Sequence, residues 1–450
     1  MTAAGSHFMT PPTQGATQPC VGGVEKRDRM EPYMFVFTHR PHRKSLEVQG
    51  MQGYSPVILS DVTLPYLLDP GQVADDRAAG FVERAVGRGW LSPQKELNGV
   101  LRTVRTEPWL RRMQIETALT CNFSCDYCYS GSAPTRRERL EPAEIAALLD
   151  QAAELAVREI CFTGGEFLLY PAWRDLVAHA RSHGMVVDVH TNGYLLDDGA
   201  IAHLAQSGAR QVQVTMESHL AEIHESIRGR RGSWARVMRN IRAARDAGLR
   251  TKVVTQVHRK NLSTIRETAA WFHSQLGQMV NLDRIVGGSD DFAVSHEEFW
   301  EAVAPLMGLG ARASRLCDPA DAGMPGVEPE CGVGADLVYV TADGEIALCP
   351  TMTSRESALF SGRNLRETSL EDAWYSSETF TRYRGVNCEN THRCPAAGGC
   401  RGGCRSNAYA ETGRVDAPDV IACNINKNPG GVFIDFIGRY ADGDFTPVTV

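Results

Sequence analysis

The sequence predicts an α/β fold whose core is a partial (β/α)6 barrel, and three observations support this prediction. Strand and helix signals alternate between about residues 112 and 285. A loop with three cysteines follows the first of these strands, and a glycine- and proline-rich region with eight more cysteines follows the last. At 450 residues, 43% hydrophobic and 22% charged, the chain has an ordinary globular composition and enough length for more than one domain.

Apolar, β-rich runs alternate with amphipathic helical segments through the central region. The predicted strands cover residues 112–118, 158–163, 185–191, 210–216, 251–257 and 279–286. The predicted helices cover residues 141–155, 172–183, 197–206, 233–247 and 262–275. The first helix has a proline near its start, where the missing N–H costs nothing. Because repeated βα units with right-handed crossovers form a parallel sheet, six such strands predict a partial barrel.

Composition and charge disfavour several classes of protein. A formal charge of -7 and a pI near 6.0 give no basic field, so nucleic acid is not an expected partner. The chain lacks a run of about 18 apolar residues and does not start like a signal peptide, so we expect neither a membrane protein nor secretion. The lack of a signal peptide predicts a cytoplasmic protein. In such a protein, the 13 cysteines are expected to be metal ligands rather than to form disulfides.

The run Cys121-Asn-Phe-Ser-Cys125-Asp-Tyr-Cys128 follows the predicted strand around Met113–Thr117. Three thiolates can hold a four-iron cluster and leave one iron without a protein ligand, whereas electron-transfer clusters are normally closed by four cysteines. The carboxyl end of a strand is also where α/β barrels place their active sites. The run therefore predicts a cluster that reacts with a substrate. A zinc knuckle, which closes with four ligands, is the alternative.

The C-x3-C-x2-C spacing, with Tyr127 before the last cysteine, resembles the signature of the radical S-adenosylmethionine (SAM) enzymes. The resemblance implies a partial barrel with a 4Fe-4S cluster whose open iron is chelated by SAM. It further implies that one-electron reduction cleaves the sulfonium and yields a 5′-deoxyadenosyl radical, which takes hydrogen from an unactivated carbon.

Motifs at the ends of the next strands carry the same resemblance. Gly164-Gly165-Glu166 matches the motif that contacts the SAM amino group, although Phe167 replaces the usual proline. Asn192 lies in a Thr-Asn-Gly segment expected to line the pocket. Thr215 and Arg228 match the residues that bind the SAM carboxylate, although Thr-Met-Glu-Ser replaces the usual Ser-x-Asp-Gly. Without the resemblance, these motifs predict two turns and a solvated arginine.

The region after the barrel contains enough thiols to close two further four-iron clusters. Its cysteines are Cys317, Cys331, Cys349, Cys388, Cys394, Cys400, Cys404 and Cys423. Their spacing resembles the SPASM domain of peptide-modifying radical SAM enzymes, except that Thr391 stands where a C-x2-C pair would begin. The resemblance assigns Cys317, Cys331, Cys349 and Cys404 to one auxiliary 4Fe-4S cluster, and Cys388, Cys394, Cys400 and Cys423 to the other. A zinc ribbon or a structural cluster is the alternative.

The start of the chain divides into a polar segment and a small predicted domain. Residues 1–32 have no periodicity and are predicted to be disordered. Strand signals lie at Tyr33–Phe37 and Ser45–Val48, and helix signals at Ser60–Leu68 and Asp75–Arg88. They predict an α+β domain over residues 33–100. It resembles the elements with which peptide maturases capture a leader peptide as an added strand, and a structural cap on the barrel is the alternative.

Together the resemblances place the radical SAM barrel at residues 108–310 and the SPASM-like domain at 311–450. They imply an oxidoreductase that abstracts hydrogen from a ribosomally made precursor peptide and installs a crosslink or another oxidative modification. The expected partners are that peptide and an electron donor such as flavodoxin or ferredoxin. The alternatives are a small-molecule dehydrogenase, a non-catalytic iron-sulfur protein and a sulfatase-maturing enzyme. The last is disfavoured, because in sulfatase-maturing relatives an aspartate that acts as a base stands at the position of Pro350.

Overall fold

A computed structural model describes most of the chain between residues 35 and 423. The described residues are 35–50, 56–71, 75–277, 280–285, 291–307, 312–313, 334–353, 360–384, 386, 388–390, 392, 394, 403–420 and 422–423. The segment predicted to be disordered, residues 1–32, lies outside them. So do three of the predicted cluster ligands, Cys317, Cys331 and Cys400.

The described residues of the N-terminal unit form a four-stranded sheet with two helices. Its elements are β1 (Phe35–Arg40), β2 (Ser45–Gly50), β3 (Val57–Ser60), α1 (Leu64–Leu68), α2 (Asp76–Gly87) and β4 (Gly99–Thr103). The strand order is β3-β2-β1-β4, with β1 and β4 parallel and the other pairs antiparallel. β1, β2 and both helices agree with the sequence analysis. β3 and β4 were not predicted, because such short strands give little periodic signal.

This unit packs against the amino ends of the barrel strands. Arg158, immediately before a barrel strand, is 1% exposed and donates from Nη1 to Glu47 Oε2 of β2 at 2.7 Å. Arg102 Nη2 of β4 donates to the His183 carbonyl at 2.7 Å. Because buried charged groups need partners, these contacts fix the unit on the face of the barrel opposite the strand ends that carry the cysteine loop.

The central region is a parallel sheet with helices outside it. Its strands are β5 (Arg112–Glu116), β6 (Glu159–Thr163), β7 (Val186–Thr191), β8 (Gln211–Thr215), β9 (Thr251–Val257) and β10 (Asn281–Arg284). Its helices are α3 (Pro142–Glu154), α4 (Trp173–Ser182), α5 (Asp198–Gln206), α6 (Ala221–Arg228), α7 (Ser233–Asp246), α8 (Ile265–Leu276) and α9 (His296–Met307). The strands pair in sequence order, so the predicted partial (β/α)6 barrel is confirmed. Helices α6 and α9 were not predicted.

The region after the barrel extends the same sheet. Its strands are β11 (Arg312–Ala313), β12 (Leu337–Val340), β13 (Glu345–Ala347) and β14 (Ser361–Asn364). Its helices are α10 (Pro350–Thr353), α11 (Leu370–Ser376), α12 (Glu378–Arg384) and α13 (Arg405–Thr412). β12 pairs in parallel with β5, the strand that leads into the cysteine loop, and β13 and β14 continue antiparallel. The C-terminal region is therefore built directly onto the side of the barrel beside that loop.

The two faces of the barrel sheet differ in polarity. Apolar side chains on one face pack with the helices into a single core. Alternate residues point to the other face, the barrel interior, and many are polar. They include Gln114, Cys161, Asp188, His190, Gln213, Lys252 and Gln256. Cys161 of β6 is half-buried on this polar face. Barrel interiors are usually filled with branched apolar side chains, so this one suits a polar ligand.

Among the described residues, no helix combines the length and the apolar character needed to cross a membrane.

Candidate active site at the carboxyl ends of the barrel strands

The cysteine loop is held from both sides by backbone hydrogen bonds. Cys121 N donates to Ala133 O at 3.2 Å, and Asp126 N donates to Ile227 O at the end of α6 at 3.1 Å. Burial raises the pKa of the Cys121 thiol to about 11 and that of Cys125 to about 12, although Arg228 opposes both shifts. Thiols in such a site become thiolates when a metal replaces the proton.

The spacing of the thiols distinguishes between the two predicted kinds of metal site. The sulfur atoms of Cys121, Cys125 and Cys128 do not all lie within 4.8 Å of one another. Three thiolates on one zinc ion would lie about 3.8 Å apart, from Zn–S bonds of about 2.3 Å in tetrahedral geometry. A four-iron cluster places each thiolate on a different iron and needs a wider spacing. The loop therefore fits the cluster better than the zinc knuckle.

The Gly164-Gly165-Glu166 loop packs directly against the chain that enters the cysteine loop. Gly165 N donates to Ala118 O at 2.6 Å, and Glu166 N donates to Thr120 O at 3.0 Å. A Cβ at Gly165 would lie 2.4 Å from Thr120 O, so no larger residue fits without a backbone shift. Phe167, in place of proline, is fully buried and stacks on the ring of Phe162 at 4.9 Å. These contacts tie the end of β6 to the cysteine loop.

Glu166 connects this loop to the end of β7. Its Oε1 accepts hydrogen bonds from Leu168 N at 2.9 Å and Thr191 Oγ1 at 2.6 Å, and its Oε2 accepts one from Asn192 N at 2.7 Å. Burial raises the pKa of Glu166, although these hydrogen bonds oppose the shift. Asn192 Nδ2 in turn donates to Asn122 Oδ1 in the cysteine loop at 2.7 Å. Because a carboxylate oxygen can accept more than one hydrogen bond, Glu166 Oε2 has capacity for a ligand.

A second buried group joins the cysteine loop to the end of β8. Arg228 Nη1 donates to Tyr127 Oη at 2.7 Å and lies 3.4 Å from Glu217 Oε1, to which Tyr127 also donates. Arg228 is only 6% exposed, so the alternative of a solvated arginine is wrong. Its Nε is buried and has no hydrogen-bond partner among the described residues. Thr215 ends β8 two residues before Glu217 and is half-buried.

Two buried polar residues of this site were missed by the sequence analysis. Glu217 is 0% exposed, and its Oε2 accepts from Gln256 N at 2.9 Å. His258 follows β9, accepts from Lys260 N through Nδ1 at 2.9 Å, and leaves its buried Nε2 without a partner in the described chain. Since Nδ1 accepts, the proton is on Nε2. Their positions just after parallel strands were the only signal in the sequence.

The last turn of α6 meets the cysteine loop at Gly229. This residue has φ +64°, and a Cβ there would lie 2.4 Å from Ser124 O. Gly232 has a similar φ of +72° but no heavy atom within 4 Å of its Cβ position.

Gly229→Ala should therefore destabilise the protein by about 2–4 kcal/mol, from backbone strain and the clash together. Gly232→Ala should cost about 1 kcal/mol, from strain alone. Denaturant unfolding tests this, and equal losses would contradict the packing argument.

Glu116, at the end of β5, connects the cysteine loop to the C-terminal region. Its Oε2 accepts from Ala342 N at 3.2 Å, and the side chains of Tyr339 and Ser130 lie near its carboxyl group. Ser130 Oγ in turn lies 3.5 Å from Cys128 Sγ. Burial raises the pKa of Glu116 to about 7 from an ordinary value of 4.5.

This shift has a predictable effect on stability. The folded protein keeps a proton that the unfolded chain releases, so the free energy of unfolding falls as pH rises from about 4.5 to 7. Glu116→Gln removes this titration. The variant should match the wild type near pH 5 and exceed it at about pH 8 by up to about 3 kcal/mol. Denaturant unfolding across this range measures the difference, and a difference that does not change with pH would contradict the assignment.

Five of the predicted auxiliary ligands are described. Cys349 is buried and accepts from Met352 N through Sγ at 3.4 Å, and Cys404 immediately precedes α13. Asp419 connects Cys404 to Cys423, because Oδ2 accepts from Cys404 N at 2.7 Å and its carbonyl accepts from Cys423 N at 2.9 Å. Cys388 and Cys394 are half-buried. The division of these ligands between two clusters stays a prediction.

The fold and this site define an α/β partial-barrel enzyme with a thiolate-bound iron-sulfur cluster at its strand ends. Residues 115–272 match the radical SAM superfamily, and residues 331–405 match the SPASM iron-sulfur cluster-binding domain. The chain is therefore a radical SAM enzyme with a SPASM domain. Its cofactors are a 4Fe-4S cluster with SAM and auxiliary iron-sulfur clusters.

Relatives cover most of the chain. A PqqA peptide cyclase of Streptomyces rochei is 28% identical over 343 residues, which are 70% of this chain and 90% of that protein. The mycofactocin maturase MftC of Mycobacterium tuberculosis H37Rv is 25% identical over 322 residues, 68% of this chain and 80% of that one.

Two solved structures share the fold. Streptococcus suis SuiB bound to S-adenosylmethionine has a TM-score of 0.60 at 14% identity, and the match covers 88% of this chain and 100% of SuiB. Native anSMEcpe with bound AdoMet has a TM-score of 0.58 at 15% identity, covering 74% of this chain and 100% of that one.

Proposed function

We propose that this enzyme modifies a ribosomally made precursor peptide, abstracting hydrogen to install a crosslink or another oxidative modification. The observation that carries the proposal is an outer strand of the N-terminal unit that has no further strand beside it among the described residues and suits an extended peptide. The relatives support it, because they include a PqqA peptide cyclase and a mycofactocin maturase. SuiB, which shares the fold, has also been solved with its precursor peptide SuiA.

This strand is β3. The order β3-β2-β1-β4 makes β3 one of the two outer strands, and among the described residues it pairs with β2 alone. Val57 and Ile58 on this strand are each 40% exposed. An exposed apolar edge strand presents unpaired backbone groups to another chain, and proteins normally protect such edges. A leader peptide would add here as a fifth strand, with main-chain hydrogen bonds giving affinity and side-chain contacts giving specificity.

At the cluster, Cys121, Cys125 and Cys128 would supply the thiolates. Bound SAM would supply a 5′-deoxyadenosyl radical after one-electron reduction, for which we propose flavodoxin or ferredoxin as the donor. Arg228 would bind the SAM carboxylate, because its buried Nε has no hydrogen-bond partner in the described part of the chain and a guanidinium suits a carboxylate. The Thr215 hydroxyl at the end of β8 would donate to the same carboxylate.

The remaining pocket residues would orient the ligand. Glu166 would accept from the SAM amino group through Oε2, and Gly164 and Gly165 would keep its loop against the cysteine loop. Asn192 would hold Glu166 and the cysteine loop at a fixed distance, since it hydrogen-bonds both. Tyr127 would keep Arg228 in place through its hydroxyl.

The polar interior of the barrel would bind the modified part of the peptide. His190 and Lys252 lie on this face, and burial with the nearby Lys252 ammonium lowers the pKa of His190 to about 4. His190 is therefore neutral near pH 7 and can accept a hydrogen bond from a substrate.

Pro350 after Cys349 continues to argue against sulfatase maturation.

Peptide capture at β3 can be tested by charge insertion. Ile58→Asp should weaken binding of a peptide encoded by a short reading frame beside the gene by about tenfold or more, because a buried apolar contact is lost and a charge is desolvated. Val62→Asp is the matched control, since Val62 is 67% exposed but lies outside the strand. Fluorescence anisotropy with the labelled peptide measures both. Equal affinities for the two variants would contradict capture at this edge.

A small-molecule dehydrogenase is the competing function. It has no need for a leader-binding unit, so a chain without residues 1–100 that folds and turns over a small substrate at the full rate would favour it. Loss of peptide turnover, with SAM cleavage retained in the same truncated chain, supports the peptide maturase.

A further inference from the structure

The outer surface of the barrel carries a group of metal-ligating side chains on helices α3 and α4. His179 and His183 lie four residues apart at the end of α4, and Asp150 lies on the neighbouring helix α3. The Nε2 atoms of both histidines meet the same oxygen, Asp150 Oδ1, at 2.8 and 2.7 Å. The three ligand atoms lie within 4.8 Å of one another. We propose that these side chains form a binding site for a divalent transition-metal ion such as zinc.

The geometry requires only a small adjustment. Two ligand atoms on a tetrahedral zinc ion, with bonds of about 2.0–2.1 Å, lie about 3.3 Å apart. The present N···O separations of 2.7 and 2.8 Å would therefore open by about half an ångström. The three side chains are 35%, 28% and 55% exposed, in the order His179, His183, Asp150, so they have room to move. Helix α4 already places His179 and His183 on the same side, because residues four apart share one helix face.

The ligand set indicates the class of metal. Two imidazoles with one carboxylate suit zinc, nickel, cobalt or copper, whereas magnesium and calcium prefer oxygen ligands only. On binding, each histidine would carry its proton on Nδ1 and present the Nε2 lone pair to the metal. The exposed side of the site leaves space for a water molecule as the fourth ligand.

The position of the site indicates what the metal would do. Asp150, His179 and His183 lie towards the carboxyl ends of their helices, which is the barrel face opposite the cysteine loop. Residues on that face of a barrel serve stability rather than catalysis. The carbonyl of His183 also accepts from Arg102 of β4, at the junction with the N-terminal unit. A bound ion would join α3 to α4 and stiffen the turn on which that unit rests.

The test uses full-length protein with its clusters reconstituted, so that the cluster cysteines are not available to the added metal. Isothermal titration with zinc chloride should show one site that is lost or weakened about tenfold or more in His183→Gln and in Asp150→Asn. His273→Gln is the matched control, because His273 is an exposed histidine on a different helix, α8. It should bind zinc like the wild type.

A second readout separates metal binding from general surface affinity. Zinc should slow hydrogen exchange of backbone amides in residues 173–183 and 99–103 in the wild type, and should leave His183→Gln unchanged. Equal zinc binding by the wild type and both ligand variants would overturn the proposal. So would unchanged exchange on adding zinc to the wild type, which would leave the three residues as a hydrogen-bonded cluster only. Neither outcome bears on peptide maturation, which is measured separately by peptide turnover.

Discussion

Replacing Cys125 with alanine should abolish reductive cleavage of SAM. With two thiolates left in the loop, the cluster loses one of its three protein ligands. The reconstituted variant should contain about four fewer iron atoms per chain than the reconstituted wild type, which is the content of one cluster. It should release no 5′-deoxyadenosine above background. Cys161→Ala is the control for iron content, because Cys161 lies on the polar face of β6, outside the predicted ligand sets.

The comparison separates a local from a global effect. Iron loss confined to about one cluster, with the auxiliary iron retained, is the expected result for Cys125→Ala. Retention of all iron and of SAM cleavage would contradict the assignment of the cysteine loop. Loss of all the iron would mean that the variant fails to fold, and Cys121→Ala and Cys128→Ala would then decide the question.

Arg228→Met should have the second-largest effect, on stability and SAM binding together. The substitution leaves Glu217, which is 0% exposed, without the cation 3.4 Å from its carboxylate. Breaking a buried ion pair by removing one partner costs about 3–5 kcal/mol, because an uncompensated charge stays buried. Arg231→Met is the control. Arg231 is exposed on the following turn, and its loss should change stability by no more than about 0.5 kcal/mol.

A double variant separates the two roles of Arg228. Arg228→Met with Glu217→Gln removes both charges, so most of the lost stability should return. SAM affinity should stay low, because the proposed carboxylate contact is still absent. Denaturant unfolding and equilibrium SAM binding measure the two effects. Restoration of SAM binding in the double variant would show that Arg228 is structural only.

Sequence periodicity predicted the barrel because each βα unit carries its own signal. The strands around Met113, Phe162 and Val189 are bounded by turns and followed by amphipathic helices, so local pattern and global fold agree. The short strands β3, β4 and β12 carry no such signal, since their stability comes from the neighbouring strand rather than from their own sequence.

Sequence analysis predicted the site residues that belong to recognisable motifs and missed the others. The Gly164-Gly165-Glu166 motif was expected to contact SAM, and the structure adds that a side chain at Gly165 is excluded by the carbonyl of Thr120. Glu217 and His258 act through partners that are distant in sequence, which a linear pattern does not record. Which residues face the polar interior, Cys161 among them, depends on which alternate positions of each strand point inward. A run of mostly apolar residues does not reveal those positions.

The central claim is that the cluster held by Cys121, Cys125 and Cys128 keeps one iron open for SAM. Electron paramagnetic resonance of the reduced, anaerobically reconstituted protein tests it most directly, with the Cys125→Ala spectrum subtracted to remove the auxiliary clusters. We predict that adding SAM changes the remaining cluster signal and that 5′-deoxyadenosine is released without any peptide. A signal that is identical with and without SAM, or zinc bound by the three thiolates, would contradict the claim.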